Sequence, residues 1–231
     1  MKRIIFSVIF IFSAFIFGVS AQNLNVRQSF ESGMLLAKNG EFETALKQFQ
    51  TSLSLVETAQ TDDIFRAKIH FNIGVCLYQL KEQAKAVAEF ERAILLDFNY
   101  EKAFYALGMA QFELKNWSES ERAFLGAIRL NERNGETWFD LSFAYLAQSD
   151  FDSAKTSFQK SIKFKSVSAS IGHNNLGVIF VMNGDFESAI KEFETALKKS
   201  DGNFAVAERN LQFCKSLGQN RELVAKPEFT K

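Results

Sequence analysis

Proline is nearly absent from this 231-residue chain, the one copy being Pro227. Upstream of it nothing locks φ or removes a backbone donor, so helices can run without a built-in breaker. Cysteine is almost as scarce. Cys76 and Cys214 lie far apart, each inside an apolar helical pattern, and read as buried free thiols rather than as a disulfide. Charge of one sign is missing too, with 27 basic residues against 27 acidic and no basic run. That balance speaks against nucleic acid, which is bound largely through basic surface and counterion release. Only two histidines are present, His70 and His173, and no second histidine or thiol stands at metal-ligand spacing from either. There is no phosphate-cradling glycine loop, no nucleophile elbow and no H-E-x-x-H. The chain therefore reads as a non-enzyme without cofactor or metal; an enzyme of unrecognised type would need a polar cleft with converging carboxylates.

Apolar and aromatic residues are plentiful, above all 26 phenylalanines, and the composition suits a chain with a large core rather than a disordered one. The N-terminus is a separate segment. Met1-Lys2-Arg3 is basic, residues 4 to 17 are an apolar run of 14, and Val19-Ser20-Ala21 supplies small residues where a signal peptidase reads. A secretory signal peptide over 1–21, cut before Gln22, is expected, and with it export, most simply to a periplasm. The alternative is an uncleaved inner-membrane anchor, although the run falls short of the roughly 20 residues that span a bilayer. No cysteine follows the run to carry a lipid.

The remainder is written in repeats. Ile73-Gly74 recurs as Leu107-Gly108 after 34 residues, as Leu141-Ser142 after 34 more and as Leu176-Gly177 after 35, with an earlier copy at Ser32-Gly33. A second motif, Ala-x-x-x-Phe, recurs at Ala45/Phe49, Ala86/Phe90, Ala154/Phe158 and Ala189/Phe193, with Ser120 before Phe124 in the third unit. Each unit has two apolar-periodic stretches around a short polar break such as Lys38-Asn39-Gly40 or Asn183-Gly184-Asp185. A helical hairpin of this size cannot bury its own apolar face, so copies must stack.

These residues resemble the tetratricopeptide repeat, W-x-x-L-G-x-x-Y followed by A-x-x-x-F. The fourth unit matches best, with Trp138, Leu141, Tyr145, Ala154 and Phe158; the fifth offers His173, Leu176, Gly177, Phe180, Ala189 and Phe193. The proline that closes the family's repeat is missing. Units end instead on Asp97, on Asn131 to Asn134 or on Asp201-Gly202-Asn203, turn residues that stop helices through side-chain hydrogen bonds and positive φ. The resemblance implies an all-α, right-handed superhelical solenoid of antiparallel helix hairpins over 22–218. Its repeats would lie at about 26–59, 67–100, 101–134, 135–168 and 170–203, a capping helix at 204–217, and a loose tail at 219–231. The small residue at each glycine position is expected to let paired helices approach closely.

The resemblance also implies a site. In this family the first helix of each unit lines a concave groove, and the groove-facing repeat positions fall here on Phe30, Met34, Phe71, Val75, Tyr78, Tyr105, Met109, Phe112, Phe139, Phe143, Leu146, Asn174, Val178, Val181 and Met182. That surface is apolar and aromatic, the signature of a binding patch. The lysine and asparagine clamp that family members use on acidic C-termini is missing, since the matching positions are mainly aromatic and none of the second set is asparagine. Both histidines fall in the slot held elsewhere by Phe104 and Trp138, which implies packing between paired helices. The expected function is a protein-protein interaction module, an adaptor or scaffold in envelope assembly that takes a protein or peptide with apolar anchors. Open alternatives are an anchored subunit of a larger complex, touching the membrane only through an uncleaved N-terminal segment, and a self-associating solenoid that buries the groove in a homo-oligomer.

Overall fold

The computed structural model describes residues 24–56, 62–165, 169–219 and 229–230. The expected leader over 1–21 lies outside the described residues. Eleven helices make up the described chain, with no strand among the described residues. They are α1 (24–38), α2 (Phe42–Val56), α3 (Asp63–Gln79), α4 (Gln83–Leu96), α5 (Glu101–Glu113), α6 (Trp117–Leu130), α7 (Gly135–Ala147), α8 (Phe151–Lys163), α9 (Ala169–Met182), α10 (Phe186–Lys199) and α11 (Ala205–Gln219). They fall into two compact units, one ending at Lys115 and the other starting at Asn116, so the division lies inside the third repeat rather than between repeats.

Local chemistry explains the breaks. Asn134, Asp150 and Asp185 accept from the backbone N–H three residues on, at 3.3, 3.1 and 3.0 Å, capping α7, α8 and α10. The Ser188 N–H holds the Asp185 carboxyl below its usual pKa. Asp62 caps α3 in the same way at 2.6 Å, which starts that helix at Asp63, one turn ahead of the expected repeat start at Ala67. Inside each hairpin the first helix ends on a left-handed residue. Gly40 and Gly184 take that place with φ of 82° and 77°, but Lys81, Lys115 and Ser149 adopt it with side chains, at 65°, 62° and 61°. Between repeats Asp97 accepts from the Asn99 N–H at 3.0 Å, and Asp201 and Gly202 both have positive φ, which supplies the reversal without proline.

Packing repeats with the sequence. In unit one α1 packs on α2, α3 pairs with α4, and α5 lies on α4; in unit two α7 pairs with α8 and α9 with α10, flanked by α6 on α7 and α11 on α10. The alanines and phenylalanines of the second motif are buried throughout, with Phe49, Phe90, Phe158 and Phe193 at 1% exposure or less. Each such ring contributes roughly 1.5–3 kcal/mol by burial. What meets the motif glycines is this ring, not a neighbouring backbone. A Cβ on Gly33, Gly74 or Gly177 would stand 2.8, 2.6 or 2.6 Å from a ring carbon of Phe49, Phe90 or Phe193. The expected close approach of helices is thus a socket for one side chain.

The capping helix has the expected polar side, with Glu208, Arg209, Gln212 and Lys215 exposed while Ala207, Asn210 and Cys214 are buried. It runs through Gly218 to Gln219. Of the expected tail over 219–231, the described residues Phe229 and Thr230 pack onto unit two.

Candidate functional site

In unit one, five of the residues expected to line the groove come together. Phe71, Val75 and Tyr78 on α3 and Tyr105 and Met109 on α5 line one pocket of about 340 Å³, with Phe90 behind them and Gln79, Lys102 and Ala106 completing the wall. The helical spacing of four and then three residues puts the α3 trio on one face. Phe71 is tied down on two sides, its centroid 5.9 Å from Phe90 and 5.0 Å from Tyr100. Phe30 is held likewise between Phe49 at 5.5 Å and Phe65 at 5.1 Å. Met34 is 45% exposed, and Phe112 is half-buried outside the pocket wall.

Unit two departs from the expected open surface. Phe139 is buried between Phe143 and Phe158, at 5.2 and 5.7 Å, because its ring completes the socket around the second-helix phenylalanine. Val178 is fully buried in a cluster with Phe193 and Cys214, since α11 brings Cys214 to that side of the hairpin. Asn174 is also fully buried. Those three expected groove residues are therefore closed to a ligand's apolar groups. Phe143, Leu146 and Val181 are half-buried, and Met182 is 48% exposed.

Phe229 packs over this face, against the clusters that hold Phe143, Leu146 and Val181, with its ring edge-on to Phe143 at 6.3 Å. Asn175 Nδ2 donates to the Thr230 carbonyl at 2.6 Å, and its Oδ1 accepts from the Thr230 N–H at 2.7 Å. Asn174 Nδ2 donates to Thr230 Oγ1 at 3.1 Å, while Asn174 Oδ1 accepts from Asn210 Nδ2 at 2.9 Å. Sequence reasoning missed Asn175, Asn210, Phe229 and Thr230. Asn174-Asn175 puts two amides side by side in a largely apolar helix, and amides must find polar partners if buried, but nothing in the helix itself says that they are buried.

The histidines lie between paired helices as expected, but their packing is polar. His70 Nδ1 lies 2.6 Å from Glu89 Oε2 and His173 Nδ1 2.7 Å from Glu192 Oε2, in each case across the hairpin and 19 residues apart. Both cysteines are buried free thiols, and burial pushes the Cys76 pKa up to about 11 and that of Cys214 upward as well. Among the described residues no helix is long and apolar enough to cross a membrane.

Sequence profiles of the tetratricopeptide repeat match residues 26–94 and, in two overlapping stretches, 105–169 and 139–204. The chain belongs to the tetratricopeptide repeat family. No curated protein matches it. Among solved structures, it is similar to YrrB, described as a TPR protein with an unusual peptide-binding site, at 19% identity and TM-score 0.69 over 88% of this chain and 98% of that one. A MamA protein is similar at 19% identity and TM-score 0.68, with the same 88% and 98% covered. PilF of Pseudomonas aeruginosa is similar at 16% identity and TM-score 0.65, over 87% of this chain and 88% of its own. At these identities the likeness is one of fold. As a tetratricopeptide repeat protein the chain falls in a class of protein-interaction modules.

Proposed function

We propose that this tetratricopeptide repeat protein is a non-catalytic adaptor or scaffold that takes a peptide or helix of a protein partner against the apolar faces of its first helices. The observation that carries the reading is the unit-one pocket, where Phe71, Val75, Tyr78, Tyr105 and Met109 line one concavity with few charged groups around it. A cavity of this size accommodates one or two large apolar side chains, each contributing roughly 1.5–3 kcal/mol on burial. Met109 lets the wall adapt to different anchors. The signal-like N-terminal sequence supports export, and with it a role in the cell envelope.

Affinity capture from envelope extracts tests this reading. Val75→Glu combined with Met109→Glu puts two carboxylates into the pocket, and partners held by the wild-type chain should be lost while the helical circular dichroism is retained. An unchanged set of partners on the folded double variant would refute the pocket as the binding surface.

A further inference from the structure

The contact between Asn175 and Thr230 has the form of a recognition contact. One side-chain amide meets both the N–H and the C=O of a single residue, at 2.7 and 2.6 Å. Those two groups point to the same side only where the backbone is extended, as in a β pair, so Asn175 reads an extended main chain whatever its sequence. Selectivity comes from the neighbours. Asn210, on α11, engages the oxygen of Asn174 and leaves the Asn174 amine directed at Thr230 Oγ1, a position that a hydroxyl oxygen can fill and a methyl cannot. Beside it the Phe229 ring packs edge-on to Phe143 and against the buried cluster of Val178, Ala189, Phe193 and Cys214. With the segment in place Asn174 and Asn175 are fully buried and Asn210 is 3% exposed, so these contacts are made out of water, where a mismatched group would leave an amide unpaired at a cost.

On the groove-binding reading above, we propose that this site in unit two is a receptor for an extended peptide in which an aromatic residue is followed by threonine or serine, and that Phe229-Thr230 is its built-in competitor. A partner segment of the same chemistry binds by displacing the chain's own. Phe229 lies only ten positions after the last residue of α11 in sequence, so the competitor is covalently linked to its own site, and linkage over so short a stretch gives an effective concentration on the order of millimolar. Only a partner with higher affinity or several contacts competes, which makes the segment a threshold on binding.

The test uses the full chain and a fluorescent peptide of residues 225–231, AKPEFTK, read by anisotropy, with circular dichroism as the control for folding. Phe229→Ala with Thr230→Pro removes the ring, the hydroxyl and the N–H that hold the segment, so this emptied variant should bind the peptide at least tenfold more tightly than the wild type. Adding Asn175→Ala should weaken that binding at least tenfold, and a peptide carrying Thr230→Val should bind several-fold more weakly. Equal binding by the wild type and the emptied variant, or none by the folded emptied variant, overturns the proposal. If the emptied variant instead binds unrelated apolar peptides, the wider groove reading stands and this assignment alone fails. Sedimentation should show that Phe229 and Thr230 do not hold copies together; a wild-type dimer that Phe229→Ala dissolves would overturn the internal competitor.

Discussion

Gly177→Ala is the sharpest test of how these repeats pack. In an exposed helix this change gains about 1 kcal/mol, because glycine is the poorer helix former. Here the new Cβ would stand 2.6, 2.7 and 2.9 Å from Cε1, Cδ1 and Cζ of Phe193, well inside van der Waals contact. Phe193 is fully buried, with Ala189, Val178 and Cys214 around it, so the ring cannot swing into solvent. Overpacking of this kind costs about 1–3 kcal/mol, which leaves a net loss of about 0–2 kcal/mol after the propensity gain. A double-mutant cycle with Phe193→Leu isolates the cause, since leucine removes the ring edge that the Cβ would strike. In that background Gly177→Ala should be neutral or stabilising, for a coupling of about 2 kcal/mol. Urea unfolding followed by circular dichroism gives the four midpoints needed. The socket reading is falsified if the alanine costs the same in both backgrounds, or if it stabilises the wild-type chain.

Ser149 and Lys115 hold the left-handed turn position that glycine fills at Gly40 and Gly184, so Ser149→Gly and Lys115→Gly should each raise stability by about 0.5–1 kcal/mol in the same assay. Gly184→Ala, in a turn with open space around the missing Cβ, should lose stability from backbone strain alone. The two buried thiols should resist an aromatic disulfide reagent at pH 8 and react fully once the chain is unfolded in urea. Because folding raises the Cys76 pKa from 9.0 to about 11, its stabilising effect is complete below pH 9 and is lost as pH rises towards 11; Cys76→Ala should flatten that alkaline decline. If the expected leader is cleaved, intact mass of the mature chain should correspond to a start at Gln22, and a chain retaining Met1 in the membrane fraction would exclude cleavage.

The hairpins were legible because their signals are local and repeated. Gly74 with Phe90 and Gly177 with Phe193 are pairs within one repeat, and the same spacing written several times identifies a unit without any knowledge of how the units meet. Some breaks were legible for a related reason, since Asp150, Asp185 and Asn134 cap the helices that begin beside them. Three turns were less plain, because Lys81, Lys115 and Ser149 sit in left-handed conformations that their residue types do not advertise. The face of unit two was legible only in part. Position within a repeat marks Phe139 and Val178 as groove-facing, but whether a face stays open depends on what arrives from elsewhere in the chain, here α11 and the 229–230 segment.

That dependence also explains the two asparagines. A surface helix could carry Asn174 and Asn175 at no cost, so nothing local distinguishes them from solvent-facing polar residues. Only burial turns them into a demand for partners, and burial at α9 is supplied by α11 and the 229–230 segment. The amide of Asn210 lies 36 residues from Asn174, and the Thr230 backbone lies 55 from Asn175. Contacts at such separations follow no repeat period. The repeats therefore specify a scaffold, and the non-repeating end of the chain specifies what one face of it is set up to recognise.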